Sequence, residues 1–268
     1  VLIRRKPPRA TAPAVTAPAV TATATAPAAV LAGLVLLSGC SLPGDGAGEA
    51  SGGAAPAGRV TSPFRNPDGT RPGLAPVTAE DERARARTLI DGLATKGRGP
   101  RTGYARDAFG HAWLDKADGV PFARNGCDTR NDLLRRDGRD LRFRDGSDCV
   151  VVAMTLDDPY TGTTIDWRKQ KAAEVQIDHV VPLSYAWQMG ASRWSGAKRQ
   201  RLANDPLNLL PVQGRANSAK GDSGPAAWLP PAKGVRCAYA VRFAQVAEKY
   251  ALPVTAPDKA AMARQCGG

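Results

Sequence analysis

Apolar side chains in this chain fall into short clusters separated by polar, glycine-rich and proline-rich stretches, and the spacing inside each cluster predicts an element. Thr78 and Asp81 resemble a capping pattern ahead of Leu89, Ile90 and Leu93, so a helix is predicted from about Thr78, stopped by Gly97 and Gly99-Pro100. Residues 129–136 predict a short helix, and residues 141–143 and 150–156 predict strands flanking an Asp145-Gly146 turn, with a further turn over 157–162. Residues 175–181 form a nearly continuous apolar run that reads as a buried strand, yet it contains Asp178 and His179. Two polar residues in such a run are costly without partners or a task, which makes them the first sign of chemistry.

Downstream, residues 183–190 and 195–203 predict a helical insertion carrying Trp187 and Trp194, both expected to pack in the core. Asp205-Pro206 turns the chain into a second short apolar strand, 207–212, interrupted by Asn208. Residues 215–220 then begin a helix on which Asn217 and Lys220, three positions apart, share a face. The fold class expected is α+β.

The N-terminal pattern is different in kind. Arg4, Arg5, Lys6 and Arg9 precede an uncharged Ala/Thr/Pro segment and an apolar run ending at Leu36-Leu37, followed by Ser38-Gly39-Cys40. Residues 1–39 therefore read as a signal peptide, and the small-residue pair before Cys40 resembles a bacterial lipobox with Cys40 as the lipidated residue. An ordinary secretory signal cleaved near Ala47 is the alternative, and either one exports the protein. Residues 40–76, rich in Gly, Pro, Ala and Ser, are expected to be a flexible tether, leaving 77–268 as the folded domain.

Charge narrows the partners. The chain carries a net charge of +12, and losing the leader lowers it by its four basic residues without reversing it. A surface of that sign favours polyanions: nucleic acid, anionic wall polymer or lipid headgroups. Setting Cys40 aside leaves Cys127, Cys149, Cys237 and Cys266, expected to form two disulfides in an exported chain. Three connectivities are open, of which the local pairs Cys127 with Cys149 and Cys237 with Cys266 are favoured. A zinc site is disfavoured because no Cys-x-x-Cys spacing occurs.

A strand with Asp-His, an Asn, then a helix with Asn is the order of parts in ββα-metal nuclease fingers. Val175-Gln176-Ile177-Asp178-His179-Val180-Val181-Pro182-Leu183, Asn208 and Asn217-Ser218-Ala219-Lys220-Gly221-Asp222 resemble the HNH endonuclease superfamily. More narrowly, they resemble exported actinobacterial proteins related to the nuclease domain of the GmrSD modification-dependent restriction enzyme. The likeness reaches Gly126-Cys127-Asp128-Thr129-Arg130-Asn131-Asp132 upstream and Ala227-Trp228-Leu229-Pro230-Pro231 downstream, about residues 100–250. It departs from the simplest His-Asn-His form in having Asn217 at the third position.

The resemblance implies a ββα-metal core with added helices and disulfide-linked flanking elements. It also implies a metal-dependent endonuclease that hydrolyses phosphodiester bonds, with DNA cut at weak sequence specificity as the expected reaction. His179 becomes the general base, and with an ordinary pKa of about 6.5 it is able to be neutral when it takes a proton from water. Asp178 and Asn217 become oxygen ligands of one divalent cation, a set that suits Mg²⁺ or Mn²⁺ better than zinc. Asn208 is expected to orient the His179 ring or tie the loop, and Lys220 to offer charge to the phosphate. Arg130 is expected on substrate phosphate, with a helix-cap and salt-bridge role for its polar neighbours as the alternative. His111 is expected to be a surface or packing residue. The membrane enters as a partner only through the anchor at Cys40, and no protein partner is indicated. A catalytically silent polyanion-binding lipoprotein rests on charge alone, and a wall-polymer hydrolase lacks paired catalytic carboxylates.

Overall fold

The computed structural model describes residues 60–267, so the leader, Cys40 and the tether before residue 60 lie outside the described residues. Two small antiparallel sheets, seven helices and two disulfides make up the described α+β structure. Helix α1, Glu80–Asp91, opens with Glu80, Asp81 and Glu82 at its positive end, where acidic side chains are favoured. Its N-cap is Ala79, which makes no side-chain cap bond, and it ends before Gly92; Thr78 is not the cap, and the helix stops short of Gly97. Helix α2, Thr129–Asp137, is capped by Asp128, whose carboxylate accepts from the Asn131 backbone N–H at 2.8 Å. That bond gives Asp128 the capping role weighed against a substrate contact.

Strands β1 (Arg139–Phe143), β2 (Val151–Asp157) and β3 (Thr164–Arg168) form a meander in the order β1-β2-β3. β3 escapes sequence reading because only Ile165 and Trp167 mark it, and Trp167 alone is buried. A separate two-stranded sheet pairs β4 (Val175–His179) with β5 (Leu209–Gln213), placing Asp178 opposite Leu210 and His179 opposite Leu209. β4 thus ends at His179 instead of Val181. Residues Pro206–Asn208 form one turn of 3₁₀ helix, with Asp205 accepting from the Leu207 N–H, so Asn208 precedes the strand expected to contain it.

Between the paired strands the chain makes helices α3 (Leu183–Met189) and α4 (Gly196–Asn204), as the insertion predicts. β5 runs directly into α5, Gly214–Lys220, completing a ββα unit. Gly214 is required at that junction, since a Cβ there would lie 1.9 Å from the Ala173 carbonyl oxygen. Helices α6, Arg236–Lys249, and α7, Ala256–Gln265, finish the chain.

The β4–β5 pair separates two apolar cores, which explains why its strands read as continuous apolar runs. On one side, Val175, Ile177 and Leu209 pack with Leu133, Leu134, Leu156 and Trp167. On the other, Val180, Val181, Leu210 and Val212 join a larger core around Tyr239, Phe243 and Val246 of α6. Trp187 and Trp194 pack partly buried against that larger core. Helix α6 is buried on nearly every face from Cys237 to Ala247, so it shows no one-sided apolar stripe by which to find it. Disulfides join Cys127 to Cys149 and Cys237 to Cys266, the favoured local pairs.

The stretch expected to end the tether is folded from residue 60 onward. Pro63, Asn66 and Leu74 are buried, and the Gln245 amide donates to the Pro63 carbonyl at 2.9 Å. Arg136 donates to the Gly69, Pro206 and Leu209 carbonyls at 2.6, 3.0 and 2.9 Å, binding this strap to the start of β5. Its Gly and Pro content serves close packing: Gly69 has φ +77° and a Cβ there would meet the Leu207 nitrogen at 2.2 Å.

Candidate active site

Successive strand residues point to opposite sides, and the end of β4 uses both. Asp178 turns toward α5: its Oδ1 accepts from Lys220 Nζ at 2.9 Å and its Oδ2 from the Tyr160 hydroxyl at 2.5 Å. Lys220 also donates to the His179 carbonyl at 2.8 Å and is only 1% exposed. Burial pushes the Tyr160 hydroxyl well above its ordinary range, with Asp178 adding to the effect, so it remains a protonated donor. Burial lowers the Lys220 ammonium while the adjacent Asp178 carboxylate opposes that shift. Asp158 fixes Tyr160 in place by accepting from the backbone N–H groups of Tyr160 and Thr161, and from that of Gln213 at the end of β5.

His179 turns toward α4. Its Nε2 lies 3.0 Å from the Ala203 carbonyl oxygen, which can only accept, so the ring proton sits on Nε2 and Nδ1 keeps its lone pair. Burial and then the nearby Arg106 charge lower the His179 pKa to about 4, leaving a neutral imidazole at pH 7. The Trp113 ring stacks on it at 6.0 Å between centroids and 13° between planes.

Asn208 is fully buried and meets backbone only. It accepts from the Val181 N–H at 2.8 Å and donates to the Val181 and Leu202 carbonyls at 3.3 and 3.2 Å. None of these bonds reaches the imidazole. Asn208 ties the loop after β4 to the end of α4, next to the Ala203 carbonyl that holds the ring.

A cavity of about 370 Å³ opens beside these residues, lined by Asp178, His179, Asn217, Arg106, Arg130 and Asp222 among others. Asn217 donates its amide to Gln176 Oε1 at 2.8 Å, which directs attention to its carbonyl oxygen as the group left for a ligand. Arg130 reaches the lining from α2, its guanidinium donating to the Val175 carbonyl at 3.3 Å and lying 6.0 Å over Trp167. Lys220 is not in the lining, because Asp178 and the His179 carbonyl hold it inside the ββα unit. Its expected contact with substrate phosphate is corrected accordingly: its charge acts on Asp178. His111 is exposed, as expected.

The oxygen donors suit a hard cation. Asp178 and Asn217 offer a carboxylate and an amide oxygen to one cavity, a set that fits a small divalent ion retaining most of its water. Among the described residues no group of three or more His, Cys, Asp or Glu side chains is placed to hold a metal ion. Lys220 already balances the Asp178 charge and competes with such an ion.

Sequence reading brought together Asp178, His179, Asn208, Asn217 and Arg130. It missed Tyr160 as the partner of Asp178, Trp113 and Arg106 as walls, and the Ala203 carbonyl as the ring's anchor. Tyr160, in a segment read as a turn, was open to reading as a contact to the substrate backbone and instead donates to Asp178; a backbone carbonyl has no sequence signature.

Comparisons with known proteins bear on the family of the chain. A protein of Arthroderma benhamiae, described as an uncharacterized secreted protein, is 40% identical over 179 residues, covering 66% of this chain and 81% of its own. No solved structure matches. Residues 128–265, just over half of the chain and inclusive of every cavity residue placed on α2, β4 and α5, match the C-terminal domain of GmrSD restriction endonucleases, and the chain belongs to that family.

Proposed function

We propose that this protein is an exported, metal-dependent endonuclease of the HNH type that hydrolyses phosphodiester bonds of DNA with weak sequence specificity. The observation that carries the reading is the state of His179: neutral, with Nε2 committed to the Ala203 carbonyl and Nδ1 left to accept, at the wall of an arginine-lined cavity. Nδ1 takes a proton from the attacking water, and the Ala203 carbonyl stabilises the imidazolium that forms. Trp113 restricts the ring's rotation, and Arg106 and Arg130 are placed to neutralise phosphoryl oxygens. Asp178 and Asn217 would hold one Mg²⁺ or Mn²⁺, which supplies charge neutralisation at the phosphate and leaving oxygen when bound. Lys220 and Tyr160 fix the carboxylate's orientation, and Asn208 fixes the loop that presents His179.

Membership in a restriction-endonuclease family supports the nuclease reading, and two disulfides together with a relative described as secreted support export. Anchoring through Cys40 rests on the sequence before the described residues. One observation favours the competing reading of a silent polyanion-binding lipoprotein: the Lys220–Asp178 pair leaves the carboxylate less charge for a cation. Plasmid nicking with Mg²⁺, Mn²⁺ and EDTA decides between them. Nicked and linear products with either metal, lost in EDTA, are expected; an intact plasmid bound by protein under all three conditions selects the silent reading.

A further inference from the structure

A second cavity, of about 470 Å³, lies against the first, and four residues belong to both: Arg106, Trp113, His179 and Leu183. Its other walls include Phe109 and His111. The two cavities differ in character. The first holds Asp178, Asp222, Asn217 and both arginines; the second is mainly apolar, walled by Phe109, Trp113 and Leu183, with Asp107 and Asn204 among its polar residues and Arg106 at the junction. That division matches the two halves of a nucleotide, an anionic phosphate and a flat ring that stacks on aromatic faces.

We propose that the second cavity is a subsite for one unstacked nucleobase of the strand being cut, adjoining the phosphate held in the first. The inference rests on the nuclease reading above and deepens it. With the phosphate beside His179, the ring of an adjacent nucleotide enters along Trp113, with Phe109 and His111 as the remaining aromatic walls. A base paired and stacked within a duplex cannot reach this position, so occupancy requires single-stranded or locally opened nucleic acid.

The wall that divides the cavities is held firmly. Trp113 has a left-handed φ of +58°, unusual for a tryptophan. Its carbonyl accepts from the Thr129 N–H at 3.3 Å, and the next residue donates its N–H to Asn204 Oδ1 at 2.9 Å. Stacking on an aromatic side chain strengthens binding of a base, so losing one base from this subsite should weaken binding by roughly tenfold.

The test is equilibrium binding in EDTA, read by fluorescence anisotropy of a labelled short single-stranded oligonucleotide, beside the same strand carrying abasic nucleotides throughout its centre. The wild-type protein is expected to bind the intact strand about tenfold more tightly. Ala112→Phe, at an exposed position of the cavity wall, should fill the space and bring the two affinities together. Trp113→Ala should do the same through loss of the stacking face, which covers the case in which the first variant does not fold. Equal affinities for the two strands in the wild-type protein, or discrimination that survives in a folded filling variant, would overturn the subsite even where the plasmid is nicked. Discrimination without nicking would retain the base pocket and reject the nuclease reading.

Discussion

A histidine at the end of a buried strand normally loses basicity with its solvent, and His179 does so, but the Ala203 carbonyl converts that loss into a defined tautomer. His179→Ala should therefore reduce DNA cleavage by at least about 100-fold, the usual scale for a general base, while thermal stability and DNA affinity stay close to wild type. Comparable turnover by a folded variant, measured by plasmid nicking, would remove His179 from the reaction. The buried Lys220–Asp178 pair makes a different prediction. Lys220→Met leaves the Asp178 carboxylate without its ammonium and should cost about 3–5 kcal/mol in urea unfolding. Adding Asp178→Asn to it should restore much of that stability without restoring cleavage. A single variant as stable as wild type would show that the pair does not form. Asp178, His179, Asn208 and Asn217 were legible because chemistry and spacing coincide within one ββα unit. Lys220 was legible as a cation but not as a buried one, because only the packing of α5 on β4 decides which way it faces.

At the scale of elements, the ββα unit is interrupted by α3 and α4, and the insertion supplies Ala203 to the site it interrupts. Helix α2 closes the other side and carries an expensive carboxylate. Asp132 accepts from Asn125 at 2.8 Å through Oδ1, while Oδ2 is buried with no partner among the described residues. Burial raises its pKa from 3.8 to about 6. Between those values the folded state binds more protons than the unfolded state, so this group's contribution to stability falls as pH rises from about 4 to about 6, and its penalty is complete above that. Asp132→Asn should accordingly raise stability at pH 7 by up to about 3 kcal/mol, seen as a higher melting temperature, with the gain fading as pH falls from about 6 to about 4. A gain independent of pH would assign it to packing. The strands and short helices around the motif were readable from their apolar runs. β3, α6 and α7 were not anticipated: β3 offers one buried aromatic, and α6 is buried on nearly every face despite carrying Arg242 and Gln245.

Across the whole molecule, the two disulfides stand outside the ββα unit and brace what packs on it. Cys237–Cys266 links the start of α6 to the residue just after α7, and both sulfurs lie in the larger core. Replacing both cysteines by alanine should cost about 2–5 kcal/mol, measured by thermal or urea unfolding. An unchanged midpoint would mean that helix packing alone fixes α7. Net positive charge was legible from composition, but which basic side chains line the cavity was not. Arg106 and Arg130 come together at one cavity only because a 3₁₀ turn, Arg106–Phe109, and α2 converge there.

The strap from residue 60 has a consequence for how the chain acquires its shape. Pro63 waits for Gln245, a partner 182 positions later, and Arg87 waits for the Cys266 carbonyl, 179 positions later. A nascent polypeptide emerging N-terminus first therefore presents the N-terminal side of its largest core long before the C-terminal helices are there to close on it. Contacts of such long range slow folding and lengthen the life of partly exposed intermediates. Folding is consequently a race between completion of α6 and α7 and aggregation of the apolar surface that awaits them.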